Sequence, residues 1–193
     1  SAIVASFSQI LVRNHIASTI SMDAAGYWQG VWKISEVYLL FITTTLSIYY
    51  LPRLSEIKDR FELKKEIVSS YKIILPAVSL VALTIYICRN WIINILFSSE
   101  FMPMSELFAF QLLGDFIKIS SWLLAFVMIA KAMTFYFIAT EIIFTVSFVL
   151  ISLFFIDHFG LVGATYGFAL NYLLYLLAVV WIFRDLLFLK KSG

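Results

Sequence analysis

Long apolar stretches separated by short polar and charged segments make up most of the chain. A helix needs about 20 apolar residues to cross the roughly 30 Å hydrocarbon core of a bilayer. Five stretches are candidate spans, over residues 30–51, 73–88, 107–130, 134–156 and 161–183. Residues 1–10 are apolar from the first position, and residues 1–20 predict the end of a further helix, so we expect the chain to be a fragment of a longer protein.

Prolines and charged residues predict where these spans end or bend. We expect Pro52 to end the first full span and Arg89 the second, while Pro76 is expected to bend the second. The apolar segment 91–97 is too short to cross a bilayer. It predicts either an interfacial helix or an extension of the helix before it.

The connecting segment 53–72 is the longest charged stretch of the chain. Within 55–70, charges of both signs alternate and apolar side chains recur at near-helical spacing. This pattern is typical of a short amphipathic helix lying on the membrane surface, but a solvated connector fits it equally well.

Composition excludes an ordinary soluble domain. Of 193 residues, 62% are hydrophobic and 13% charged, and the mean hydropathy is +0.96. Soluble domains are about 45–50% apolar and about 25% charged. We therefore predict an all-α, polytopic transmembrane bundle of about five full helices and one truncated helix. The single cysteine, Cys88, allows no intrachain disulfide, and no Cys/His spacing predicts a metal site or a cofactor.

The basic residues are distributed unevenly between the two sides of the predicted bundle. One side has ten, in the 53–72 loop, a short loop and the tail 184–193: Arg53, Lys58, Arg60, Lys64, Lys65, Lys72, Lys131, Arg184, Lys190 and Lys191. The opposite loops hold two, Lys33 and Arg89. Because cytoplasmic loops carry the excess of Lys and Arg, the 53–72 loop and the C-terminus are expected to be cytoplasmic. A net charge of +2 without a basic domain argues against nucleic-acid binding.

Three polar residues share one face of the 107–130 span. Gln111, Asp115 and Lys118 are four and three residues apart, which places them together on a helix. A charge at mid-membrane costs at least about 2.5–3.5 kcal/mol unless it is paired or solvated. Two hypotheses remain open: an internal Asp115–Lys118 ion pair that helps the bundle fold, or a face that lines a water-filled cavity.

Other polar residues in or near the spans are candidates for function. Glu141 has no charge partner on its own helix, so it either exchanges protons or contacts Lys131 at the interface. Asn171 either bonds a neighbouring helix or lines a cavity. Arg13 is either an interfacial anchor or an arginine that binds a phosphate group.

A stripe of large side chains precedes the first full span. Trp28, Trp32 and Glu36 share this stripe, which is typical of an aromatic anchor at the membrane interface. Stacking against a sugar is a weaker alternative. No nucleophile elbow, P-loop or long loop with paired carboxylates is present, so the sequence gives no indication of an enzyme.

Two stretches resemble bacterial polysaccharide flippases. Residues 26–57, GYWQGVWKISEVYLLFITTTLSIYYLPRLSEI, and 107–141, LFAFQLLGDFIKISSWLLAFVMIAKAMTFYFIATE, are similar to O-antigen and enterobacterial common antigen (lipid III) translocases. These are members of the multidrug/oligosaccharidyl-lipid/polysaccharide exporter superfamily. The motif residues are Gln111, Leu112, Gly114, Asp115 and Lys118, followed by Ala130, Lys131, Ala132 and Glu141.

The resemblance implies a fold, a substrate and partners. Such proteins have two six-helix lobes, and 1–193 would be most of the C-terminal lobe, in the inner membrane. The expected activity is flipping of an undecaprenyl-diphosphate-linked oligosaccharide by alternating access, coupled to an ion gradient. The expected partners are that lipid-linked oligosaccharide, membrane lipids, the N-terminal lobe, and a polysaccharide polymerase with its chain-length regulator.

The resemblance also implies roles for particular residues. Arg13 and Lys118 are candidates for diphosphate binding, Asp115 and Glu141 for ion coupling, and Gln111 and Asn171 for lining the cavity. The alternatives are a multidrug or peptidoglycan-precursor exporter of the same superfamily, and a membrane-embedded polysaccharide polymerase or ligase.

Overall fold

The chain forms a bundle of helices in a computed structural model that describes residues 2–188 and the side chains of residues 6–188. Every regular element in that part of the chain is helical. The α-helices are α1 (Ala2–Thr19), α2 (Met22–Thr45), α3 (Leu51–Glu56), α4 (Arg60–Leu96), α5 (Phe108–Ala130), α6 (Thr134–Phe159), α7 (Leu161–Ile182) and α8 (Arg184–Leu187). Lys190 and Lys191 of the predicted tail lie outside the described residues.

Five helical segments are long and apolar enough to cross a membrane. They are Met22–Glu56, Arg60–Leu96, Ser99–Ala130, Thr134–Phe159 and Leu161–Ile182. Large apolar side chains are exposed along them, including Phe135, Ile95 and Trp91, each more than three-quarters exposed. Lipid is the environment in which such surfaces are stable. These features confirm the predicted all-α polytopic bundle.

The first of these segments passes through Pro52 instead of ending there. A π-helical turn, Leu46–Tyr50, joins α2 to α3, and Pro52 lies in the first turn of α3. A proline ring clashes with the carbonyl four residues earlier in a regular α-helix. In the π-helical turn the backbone hydrogen bonds join residues five apart instead of four. This wider turn precedes the proline, and the helical path continues to Glu56.

The helix α4 is longer than the span predicted for it at both ends. Its 37 residues cover about 55 Å at 1.5 Å per residue, well beyond the 30 Å core. Asp59 caps its start by accepting a 2.8 Å hydrogen bond from the Glu62 backbone N–H. The helix continues through Pro76 and Arg89, so residues 60–72 of the charged stretch and residues 91–96 of the apolar segment belong to one helix.

The helix α5 lies at the centre of the bundle. It packs against α7 on one side and α4 on the other, and α6 packs against α7. In the most apolar stretch of the α5 segment 61% of residues are buried, against 6% in α4. The polar side chains of α5 are thereby kept away from lipid.

The helices α6 and α7 approach each other closely at two glycines of α7. A Cβ atom at Gly167 would lie 2.8 Å from the Ser152 Cα, and one at Gly163 would overlap the Phe155 carbonyl oxygen. Small residues four apart on one helix face permit this kind of close backbone contact in membranes. The α6–α7 contact therefore depends on the absence of a side chain at both positions.

We expect Gly167→Ala to destabilise the protein by roughly 1–3 kcal/mol, because α6 must move away from the added methyl group. Thermal unfolding of the purified protein in detergent measures the effect. Gly26→Ala is the matched control, since a Cβ there meets only the Phe101 ring at 3.9 Å. Equal unfolding temperatures for the two variants would contradict the close α6–α7 contact.

Candidate functional site

A cavity of about 190 Å³ lies between α1, α2, α5, α6 and α7. Its walls combine polar and aromatic side chains in a part of the bundle that is otherwise apolar. The lining residues are Ser8, Gln9, Trp32, Lys118, Trp122, Glu141, Phe144, Thr145, Phe148, Asn171, Tyr172 and Tyr175. The structure thus brings together Lys118, Glu141 and Asn171, three of the residues that the sequence singled out.

Lys118 projects into a cage of aromatic rings. Its Nζ atom lies 4.9 Å from the ring centroid of Trp122, 5.3 Å from Tyr172, 5.8 Å from Phe168 and 6.0 Å from Trp32. Cation–π contacts contribute about 2 kcal/mol or more where the cation is desolvated. The rings come from α2, α5 and α7, so the packing of three helices holds this ammonium group.

The positive charge of Lys118 is not neutralised by a direct ion pair. Among the described residues, no carboxylate oxygen lies within 4.0 Å of its Nζ atom. Asp115 and Glu141 are near enough to interact with it electrostatically. The direct Asp115–Lys118 pair, one of the two hypotheses from the sequence, is therefore absent.

Asp115 is instead bonded to α2. It is fully buried, and its Oδ2 atom accepts hydrogen bonds from Ser35 Oγ at 2.6 Å and Tyr38 OH at 2.7 Å. Its Oδ1 atom accepts a longer one, 3.4 Å, from Gln111 Nε2. Hydrogen bonds to a buried carboxylate offset the cost of removing it from water. Asp115 therefore joins α5 to α2 and does not line the cavity.

Glu141 and Asn171 face the cavity from α6 and α7. Glu141 is partly buried, and Asn171 is buried with its Oδ1 atom unpartnered among the described residues. Lys131, the alternative partner of Glu141, donates to the Ile57 backbone carbonyl instead. The cavity thus presents one ammonium group, one carboxyl group and one unpartnered amide oxygen.

Two sequence-predicted site residues lie elsewhere. Arg13 is exposed on α1 and is not among the lining residues. Gln111 is buried beside Asp115, and its Oε1 atom has no partner in the described part of the chain. Within that part, no group of three or more His, Cys, Asp or Glu residues is placed to hold a metal ion.

The tryptophan stripe of α2 packs inside the bundle, which corrects the expectation of an interfacial anchor. Trp28 and Trp32 are 2% and 8% exposed, with ring centroids 5.2 Å apart. Trp32 donates its indole N–H to Glu36 Oε1 at 2.9 Å while its ring faces Lys118. Hydropathy does not show which helices become neighbours, so it could not place these two rings inside the bundle.

Several site residues were not identified as such from the sequence. Ser35 and Tyr38 are three residues apart on α2, a spacing that places two donors on one helix face. Nothing in the sequence indicates that this face meets Asp115, 80 residues from Ser35. Trp122 is four residues after Lys118, which is the local signal for part of the cage.

Comparison with known proteins agrees with the resemblance that the two stretches indicated. No family model and no solved structure matches the chain. It is 35% identical over 166 residues to the lipid III flippases of Escherichia coli strain K12 and Shigella flexneri, an alignment that covers 86% of the chain. The alignment covers 40% of the length of these relatives. The chain is thus a relative of the lipid III flippases.

Proposed function

We propose that the chain is the C-terminal lobe of a flippase that moves an undecaprenyl-diphosphate-linked oligosaccharide across the bacterial inner membrane. The similarity to lipid III flippases carries this proposal. The cavity around Lys118 supports it. Since the chain spans 40% of the length of those relatives, transport would belong to a longer protein whose N-terminal lobe completes the pathway.

The chemistry of the cavity suits the polar part of such a substrate. A diphosphate requires cations, and Lys118 offers an ammonium group without a direct counter-ion. The cavity also has the Trp122 and Tyr172 rings, which could stack on sugar faces, and the Asn171 amide, which could bond sugar hydroxyls. A volume of about 190 Å³ is below the usual 300–1,000 Å³ of ligand sites, so this lobe would hold part of the headgroup.

Arg13 would supply a second phosphate contact from a different direction. It is exposed on α1, outside the cavity. A substrate that passes between two lobes is contacted from both sides, and an exposed arginine on α1 fits a position along that path. Its guanidinium can bind a phosphate through two parallel hydrogen bonds.

Glu141 is the better placed of the two ion-coupling candidates. It lines the cavity near Lys118, where a proton or cation could reach it. Asp115 is enclosed by Ser35, Tyr38 and Gln111, so protonating it would disturb the α2–α5 contact. We propose that Glu141 binds the coupling ion directly during alternating access. Asp115 would then transmit the effect of ion binding to α2 through its hydrogen bonds to that helix.

The proposed topology places the Arg53–Lys72 segment and the C-terminus in the cytoplasm. The excess of basic residues on that side supports this orientation. O-antigen or a related surface polysaccharide would be the product made from the flipped repeat unit, with a polymerase and a chain-length regulator as partners after the transfer.

We expect Lys118→Met to reduce transport by roughly ten- to a hundredfold, because it removes a charge-assisted interaction of about 1.5–3 kcal/mol while keeping side-chain length. The measurement is surface polysaccharide on gels of a flippase-deficient bacterium that expresses the complete protein. Lys33→Met is the matched control, since Lys33 is exposed and, in the described part of the chain, forms its ion pair with Glu36 on its own helix. Normal polysaccharide from Lys118→Met, at normal membrane levels, would exclude Lys118 from headgroup binding.

We expect Asp115→Asn and Glu141→Gln to fail in different ways. The first places an amide among three donors that require an acceptor, so it should lower the unfolding temperature and the amount of protein in the membrane. Glu141→Gln should leave the unfolding temperature and the amount of protein near normal and reduce surface polysaccharide. Unfolding of the purified variants and the same complementation assay separate the two. Full transport by Glu141→Gln would eliminate its coupling role.

A further inference from the structure

A groove on the outer surface of the bundle lies between α4, α5 and α7. It encloses about 530 Å³, a larger volume than the Lys118 cavity, with which it shares no lining residue. Its walls are mainly aliphatic, with Ile67 and Leu75 from α4, Leu124 from α5, and Leu176 and Val180 from α7. The groove therefore presents a hydrocarbon surface.

The hydroxyl groups within the groove are already bonded to the protein. Tyr71 donates to the Ser120 backbone carbonyl, and Ser120 Oγ donates to the Phe116 carbonyl at 2.8 Å. A ligand in the groove would thus find few polar groups to bind. An alkyl chain meets these requirements, whereas a sugar or a peptide backbone would leave its own polar groups unpaired.

A lysine-lined pocket adjoins this groove. It is an open depression of about 400 Å³ on the surface of α4, and Lys64, Lys65 and Lys72 line it together with Val68. Val68 and Lys72 also line the groove, so the groove and the pocket lie side by side. Lys65 and Lys72 lie on one face of α4, two turns apart.

Two of the nearby acidic residues are engaged elsewhere. Glu66 lies 3.6 Å from Arg53, and Asp59 caps α4. Neither is among the residues that line the lysine pocket. The pocket consequently presents basic side chains beside an apolar groove.

The length of α4 sets the depth of both features in a bilayer. Because α4 extends about 55 Å and the hydrocarbon core is about 30 Å thick, its first turns reach the headgroup region when the rest of the helix crosses. Lys64 and Lys65 lie in those turns. The groove then continues from Ile67 towards Leu75, in the direction of the core.

We propose that the groove and the lysine pocket together bind one anionic phospholipid, with the phosphate at Lys65 and Lys72 and an acyl chain along the groove. Lysines at the membrane surface attract anionic headgroups, each contributing about 1 kcal/mol. A zwitterionic lipid would place its ammonium group beside Lys65 and Lys72, and free phosphate would leave the groove unfilled. The inference requires that α4 crosses the bilayer and does not depend on what the Lys118 cavity carries.

Native mass spectrometry of the purified protein with dioleoyl phosphatidylglycerol or dioleoyl phosphatidylcholine tests the proposal. We expect the phosphatidylglycerol adduct to be favoured at least roughly fivefold, since each lysine near the phosphate contributes about that factor. Lys65→Gln/Lys72→Gln should abolish the preference. Lys58→Gln/Arg60→Gln, which removes the same charge from exposed positions outside the pocket, should retain it.

A groove-filling variant tests the acyl chain separately. Val180→Trp should reduce retention of both lipids, whereas Val146→Trp, at a lipid-exposed position of α6, should not. Unfolding in lipid-free detergent checks that each variant is folded. Lys65→Arg/Lys72→Arg, which keeps both charges, should retain the preference for phosphatidylglycerol. Three results would each overturn the proposal. They are equal losses of the phosphatidylglycerol preference in the two charge-removal pairs, unchanged lipid retention by Val180→Trp, and thermal protection by inorganic phosphate equal to that by phosphatidylglycerol.

Discussion

A carboxylate and an ammonium group in the middle of a membrane helix must both be kept from hydrocarbon, and on α5 they lie on the same face. Asp115 and Lys118 each cost several kcal/mol if exposed to lipid. The protein meets this constraint by surrounding α5 with α2, α4 and α7, so that α5 is the most buried of the spanning segments described. The positions of the surrounding helices, and of the cavity between them, follow from this requirement.

The two charges are stabilised by different means, and only one of them is left accessible to the cavity. Asp115 accepts hydrogen bonds from Ser35, Tyr38 and Gln111, which occupy both of its oxygens. Such a group holds two helices together but offers little to a substrate. Lys118 is surrounded by neutral rings, which stabilise its charge without cancelling it. Its positive electrostatic potential extends into the cavity and would attract an anion there.

Hydropathy and spacing predicted the helices and the face of α5 that must be buried, because both depend on local sequence alone. The course of the chain near prolines was harder to predict. Pro52 lies within a continuous helical segment because a π-helical turn precedes it, and no residue pattern identifies such a turn. The full length of α4 was also missed, since its charged first turns suggested a separate amphipathic surface helix or a solvated connector, not the start of the spanning helix.

The candidate site was predicted only in part, for a related reason. Lys118, Glu141 and Asn171 were identified because polar residues are rare in spans, whereas Trp122 and Tyr172 resemble the many other aromatic residues of this chain. Their roles depend on which helices become neighbours. The donors to Asp115 are hidden in the same way, because Ser35 and Tyr38 are unremarkable until α2 lies beside α5.

An aromatic cage is also suited to a cation that must release what it binds. If Lys118 moves towards an anion, it exchanges cation–π contacts of about 2 kcal/mol for a charge-assisted hydrogen bond of about 1.5–3 kcal/mol. The two contributions are similar, so the exchange is close to balanced in both directions. A salt bridge in the same place would have to be broken first, and an isolated ammonium would bind an anion too tightly to let it leave. Under the proposed function, the rings would set the affinity of Lys118 between these limits.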